Sequence, residues 1–326
     1  VKKVYQNIKV KPVDIDKGIF EIKNWHFFTS LDEFECSYSV YANDRKLQGK
    51  VLNINTEPGK TYTVNIPVPK LNFATQPNDE YFVTFSFKTK KESKGLPKGW
   101  EVAYDQFKFN VEKAALNELI DIPEVKTSET ADAVTVSNDG FSFVIDRKSG
   151  LPVSFKYYGE EMLAGEARPN FWRAPTLNDL VDRNGVKKWQ AAGLDRLTIV
   201  PKSIKINRTD KSNVAIAVTL ESVDKEGKTV VTTQQLYEIN GYADVVVTNY
   251  VQPEETVTTL PKIGTQLNVP LKYNKIKFFG KDTENYPDRN SSGKVGVYEM
   301  NSGDVFEMHE KPQDNGNHSD VRWLSL

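Results

Sequence analysis

Phe34-Glu35-Cys36-Ser37-Tyr38-Ser39-Val40-Tyr41, closed by the turn residues Ala42-Asn43-Asp44, alternates with a period of two. In a strand, successive side chains point to opposite faces, so this pattern describes a strand with one face in a core and one in water. The same reading extends outward. In Thr61-Tyr62-Thr63-Val64-Asn65-Ile66-Pro67-Val68 the even positions form one apolar face. Tyr81-Phe82-Val83-Thr84-Phe85-Ser86-Phe87 repeats the pattern on its odd positions, and Pro58-Gly59 marks a turn between strands. Residues 1–113 therefore read as about seven short antiparallel strands, the pattern of an immunoglobulin-like sandwich.

Strand alternation stops after that stretch. Residues 114–127, which begin AALNELIDIPEV, read as an interdomain linker. Strands resume in residues 128–326. Phe141 to Asp146 leads through Lys148-Ser149-Gly150 to a return strand at Val153 to Tyr157. Val214 to Leu220, Val230 to Tyr237 and Ala243 to Tyr250 follow, and Val186 to Leu197 is the one expected helix. The fold class is all-β.

Composition narrows the function. The 43 Lys and Arg nearly cancel the 44 Asp and Glu, whereas polyanion binders concentrate positive charge. The run Lys88 to Lys98 reads as a solvated hairpin tip, and no nucleic-acid partner is expected. Cys36 is the only cysteine, which excludes an intrachain disulfide and a cysteine-rich zinc site. No apolar run approaches the roughly 20 residues of a membrane-spanning helix. The start at Val4 to Val10, already strand-like, and the stop within Trp323-Leu324-Ser325-Leu326 suggest an excised piece of a larger protein.

Four motifs in chain order carry a resemblance: Glu101-Val102-Ala103-Tyr104-Asp105-Gln106-Phe107; Asn170-Phe171-Trp172-Arg173-Ala174-Pro175-Thr176 with Asn178-Asp179; Glu284-Asn285-Tyr286-Pro287-Asp288-Arg289; and Pro312-Gln313-Asp314-Asn315-Gly316-Asn317 with Asp320-Val321-Arg322-Trp323. Together they resemble segments of the bacterial β-galactosidases of glycoside hydrolase family 2. Leu177, Lys262 and Lys281-Asp282-Thr283 depart from the family's usual residues. The resemblance implies an immunoglobulin-like sandwich over 1–113, a linker over 114–127, and an incomplete galactose-mutarotase-like supersandwich over 128–326. It also implies a catalytic (β/α)8 barrel outside this chain, which would meet the β-galactoside and hold any divalent cation, and a homo-oligomeric parent. No cofactor is expected in these residues.

The chain offers little chemistry of its own. Retaining glycosidases need two carboxyl groups about 5–5.5 Å apart on a barrel scaffold. The pairs Glu160 with Glu161, Asp282 with Glu284, and Glu284 with Asp288 are what chance yields among so many acids. His26, His309 and His318 lack metal-ligand spacing. Asn315 and Asn317, beside Gly316, read as turn formers. Trp25, Trp100, Trp172 and Trp323 read as core residues, with Trp189 clamping the helix to a sheet. No catalytic residue is assigned. Asn178, Asp179 and Asp182, in the polar loop Thr176 to Asn184, are implied to lie near the substrate pocket of the complete enzyme; capping by Asp182 or Asn184 is the bland alternative. Two rival functions stand: an aldose epimerase using His318 with Glu284, and a carbohydrate-binding module, which needs several exposed aromatic rings in one groove.

Overall fold

The computed structural model describes residues 2–68, 79–92, 95–111, 121–181, 185–282, 286 and 290–326. Seven strands come first: β1 (Ile8–Asp14), β2 (Ile19–Asn24), β3 (Phe34–Ala42), β4 (Arg45–Leu52), β5 (Thr61–Asn65), β6 (Tyr81–Thr89) and β7 (Glu101–Phe109). They form a sheet of order β1-β2-β5 and a sheet of order β4-β3-β6-β7. Inward-facing side chains of both interdigitate, as in an aligned sandwich. Ile8, Val10, Phe20, Ile22 and Val64 from the first meet Cys36, Tyr38, Val40, Val83, Phe85 and Phe87 from the second. Phe20 is the hub: its ring lies edge-on to Phe85 at 5.1 Å and tilted to Phe107 at 5.4 Å. Burial pushes the Cys36 thiol up to about 12, so it is a small apolar side chain at neutral pH.

The second stretch holds β8 (Lys126–Glu129), β9 (Ala133–Ser137), β10 (Phe141–Asp146), β11 (Pro152–Tyr157), β12 (Glu160–Glu161) and β13 (Arg168–Asn170). Two short helices, α1 (Leu177–Val181) and α2 (Gly185–Ala191), precede β14 (Thr198–Arg208), β15 (Asn213–Val223), β16 (Thr229–Asn240), β17 (Val245–Pro253) and β18 (Gly264–Gln266). The sheet β12-β11-β10-β9-β8 and the sheet β14-β15-β16-β17 share one core. In it Val134, Val136, Phe143 and Ile145 meet Ile216, Val218, Leu220 and Tyr237. A further cluster around Phe171, Trp189, Leu194 and Val231 seats α2. The strands β19 (Lys275–Lys281), β20 (Val295–Asn301) and β21 (Trp323–Ser325) make a sheet of order β20-β19-β21.

Two compact units result. One comprises Val1–Asn117, Lys275–Val305 and Gly316–Leu326; the other comprises Glu118–Asn274 and Phe306–Asn315. Residues of the stretch 128–326 thus contribute to both. Every strand pairing among the described residues is antiparallel, so the architecture is all-β.

Several local expectations need correction. Tyr62 is partly exposed and β5 ends at Asn65, so only Val64 and Ile66 of that even-numbered face are fully buried. The expected helix of residues 186–197 is shorter. Gly193 adopts a left-handed φ of 72°, which stops the α-helix, and a 3-10 turn over Leu194–Arg196 follows. Thr176 to Asn184 was expected as a loop, yet it contains α1. Lys126 already opens β8, while residues 114–120, half of the expected linker, lie outside the described residues.

Phe82 is buried although it faces away from the sandwich core. Its ring stands edge-on to Phe279 of β19 at 6.5 Å, so the β19–β20 hairpin covers the outer face of β6. Replacing Phe20 with Ala should cost about 3–5 kcal/mol, the usual penalty for emptying a fully buried aromatic site. Chemical denaturation followed by circular dichroism checks this.

Candidate functional site

The segment after β13 is organised by one arginine. Asn170 Oδ1 accepts the Trp172 N–H at 3.0 Å, a local turn that sends Phe171 into the core. Trp172 stands edge-on to Trp189 of α2 at 6.1 Å. The Trp189 indole N–H donates to Thr259 Oγ1 at 3.1 Å, and the Arg173 guanidinium lies 5.3 Å over the Trp189 ring. Trp189 therefore clamps α2, as its position on the helix predicts.

Arg173 forks onto Asp179 of α1, with Nη1 to Oδ2 at 2.6 Å and Nη2 to Oδ1 at 3.2 Å. Its Nε donates to the Pro261 carbonyl and its Nη1 to the Ala174 carbonyl. Asp179 Oδ2 also accepts the Thr176 N–H at 2.7 Å and the Thr176 hydroxyl at 2.8 Å, the reciprocal half of a capping box. Burial pushes the Asp179 carboxyl up, but the Arg173 and Thr176 donors outweigh it and hold it below the ordinary aspartate value. This carboxylate is a fully occupied acceptor.

Asn178 is exposed on α1, and Asp182 and Asn184 lie outside the described residues. Asp179 itself caps the start of α1, a role for which the polar loop offered no such expectation. A Thr three residues before an Asp was the available signal. The loop also meets a distant motif. Gln313 Oε1 accepts the Leu177 N–H at 3.4 Å, and the Asp314 N–H donates to the Pro175 carbonyl at 3.2 Å. Asn315 clasps both backbone groups of Glu307, accepting its N–H at 2.8 Å and donating to its carbonyl, while Gly316 and not either asparagine takes the left-handed backbone, at φ 72°.

The motif on β7 is spent in the same way. Gln106 reads both backbone groups of Val295, donating to its carbonyl and accepting its N–H, each at 2.8 Å. Glu101 pairs with Lys294 at 2.7 Å and accepts the Ser86 hydroxyl at 2.7 Å. Burial raises its pKa, and those two donors more than offset it. Asp105 accepts the Val10 N–H at 2.7 Å and pairs with Lys3.

Among the described residues the other candidates do not assemble into a reactive centre. Ser154 donates to Glu161, and Lys272 pairs with Glu160. Glu284 and Asp288 lie outside the described residues. His318 sets Nδ1 3.2 Å from the Lys281 carbonyl and its ring 4.9 Å from that of Phe278. His26 stacks on Phe34. Among the described residues no three His, Cys, Asp or Glu side chains are grouped to hold a metal ion. Trp25, Trp100 and Trp323 are not the core residues their strand-like segments predict. Lys23 reaches over the Trp25 ring and Lys2 over the Trp100 ring, and all three tryptophans are exposed.

Comparison with known proteins agrees with this arrangement. Residues 137–326 match the family described as "Beta galactosidase small chain", and residues 20–110 match "Beta-galactosidase, domain 4". The chain belongs to the β-galactosidase family through its small-chain region. It is 26% identical over 333 residues to a β-galactosidase of Priestia megaterium, covering 100% of this chain and 31% of that protein. It is 29% identical over 338 residues to one of Lactobacillus delbrueckii subsp. bulgaricus, with the same coverage of 100% and 31%. One of Clostridium acetobutylicum is 24% identical over 302 residues, with 92% and 32% covered. The chain thus spans about a third of the length of these relatives.

Asp179→Asn should lower the unfolding free energy by about 1–3 kcal/mol at neutral pH, because Arg173 is left without its ionic partner. A carboxyl with a lowered folded pKa stabilises above its unfolded pKa and loses that contribution as pH falls through the folded value. The gap between wild type and variant should therefore close below about pH 4. Urea denaturation across pH measures it.

Proposed function

We propose that this chain is an accessory β-sandwich region of a β-galactosidase, and that the residues which cleave terminal β-D-galactosides lie outside it. The observation that carries this reading is that the chain matches the β-galactosidase small chain and domain 4 while spanning about a third of its relatives' length. In keeping with it, a glycosidase acid needs a raised pKa, and among the described residues the carboxyls with a resolved shift move downward: Asp14, Glu80, Glu101, Glu161, Asp179, Asp210 and Glu299. Ion pairs and hydrogen bonds hold them ionised, which suits joints and not proton donors.

In this reading residues 1–113 are an immunoglobulin-like sandwich, 114–127 a linker and 128–326 part of a supersandwich. They buttress a catalytic domain that binds the sugar and holds any divalent cation, within a homo-oligomer. The loop with Asn178, Asp179 and Asp182 borders the substrate pocket, where Asp179 acts by holding the loop to Arg173. No helix among the described residues is long and apolar enough to cross a membrane.

An aryl-β-galactoside assay tests the first part. The purified 326-residue chain should remain at the buffer blank while the complete enzyme turns over; hydrolysis by the chain alone removes the proposal. Asp179→Ala in the complete enzyme should raise KM several-fold, and unchanged KM and kcat would remove the loop assignment.

A further inference from the structure

Three exposed tyrosine rings converge on one groove. Tyr157, Tyr158 and Tyr242 border a groove of about 500 Å³ with Pro123, Lys126 and Asp139 on its rim. Their side chains keep 45%, 75% and 43% of their surface exposed. Sites for small molecules span about 300–1,000 Å³. We propose that this groove binds a short neutral oligosaccharide.

The backbone carries the first argument. Tyr158 has φ 45° and Gly159 φ 82°, two consecutive left-handed residues in the turn from β11 to β12. Such hairpin turns select Asn-Gly or Asp-Gly, and a bulky aromatic in the left-handed region costs of order 1 kcal/mol or more. The chain places a ring there against that preference. The Gly140 carbonyl accepts the Tyr158 N–H at 2.7 Å, which fixes the turn over β10. The Tyr157 and Tyr158 rings stand at 75° with centroids 4.7 Å apart, giving the groove two apolar surfaces at a steep angle.

The far wall is equally set. Tyr242 sits in the β16–β17 turn, where its N–H donates to Asn240 Oδ1 at 2.9 Å and its hydroxyl to the Asp121 carbonyl at 3.2 Å. Gly241 passes so close to Pro123 that an added Cβ would lie 1.7 Å from the Pro123 oxygen. Asn138 Nδ2 donates to the Gly241 carbonyl at 2.8 Å, tying the floor to that wall. The ring positions are therefore preorganised, which lowers the ordering cost of binding.

Chemistry selects the ligand. A pyranose presents a C–H face that packs on an aromatic ring, while its hydroxyls need donors and acceptors at the rim. The Tyr157 and Tyr158 hydroxyls, Lys126 and Asp139 supply those here. Glu124 is paired with Lys211 at 3.0 Å, and the lining carries both Lys126 and Asp139, so charges of both signs border the groove and no single-sign field recruits a polyanion.

Saturation-transfer NMR and calorimetry on the 326-residue chain test this with β-1,4-galactotetraose, cellotetraose, a chondroitin tetrasaccharide and a proline-rich decapeptide. At least one neutral tetrasaccharide should bind saturably with a millimolar or tighter Kd. Tyr158→Asn suits the turn and removes the ring, so binding should fall about tenfold or more with an unchanged or higher melting midpoint. Tyr242→Ala should weaken binding similarly, and Tyr158→Phe should retain it. The proposal is overturned if neither neutral glycan saturates, if the anionic glycan or the peptide binds instead, or if Tyr158→Asn binds like wild type.

Discussion

An antiparallel sheet satisfies its own backbone but leaves one apolar face that must be covered, and the two units meet that need with facing sheets. In the first, Phe20 and Ile22 reach across to Phe85 and Val40. In the second, Phe143 and Ile145 reach across to Ile216 and Tyr237. Hydrophobic burial between paired sheets is the constraint from which the remaining features follow. Where a second face also carries apolar side chains, another layer is recruited. Phe82 points away from the first core and is covered by Phe279 of β19.

Polar residues in the motifs then fasten loops and layers that hydrophobic contact alone would leave free to slide. Arg173 draws α1, Pro261 and the Trp189 ring to one guanidinium, and Gln106 fixes the register of Val295 through two hydrogen bonds. Directional bonds to partly buried groups specify one arrangement among several of similar apolar area. Motifs of this kind mark family membership without marking chemistry. The charges of Glu101, Asp105, Arg173 and Asp179 are committed to partners inside the chain.

The tyrosine groove differs from these joints. Its rings point to water, and one of them occupies a backbone conformation that an asparagine or glycine would fill more easily. A joint buries its side chains and relaxes its backbone; this turn does the reverse. That contrast separates a surface kept for recognition from one kept for stability.

Period-two alternation in Phe34 to Tyr41 and Tyr81 to Phe87 was enough to determine an all-β chain, because strand geometry alone maps odd and even residues to opposite faces. Four short motifs were enough to place it in its family. The single cysteine settled the absence of an internal disulfide. What alternation does not encode is which distant segments meet. The contact of Gln313 and Asp314 with Leu177 and Pro175 depended on the tertiary structure. So did the exposure of Trp25 and Trp100 and the gathering of three tyrosines from two turns. Each depends on long-range packing that brings together residues far apart in the chain or sets which face of a segment stays in water, and no local propensity records it.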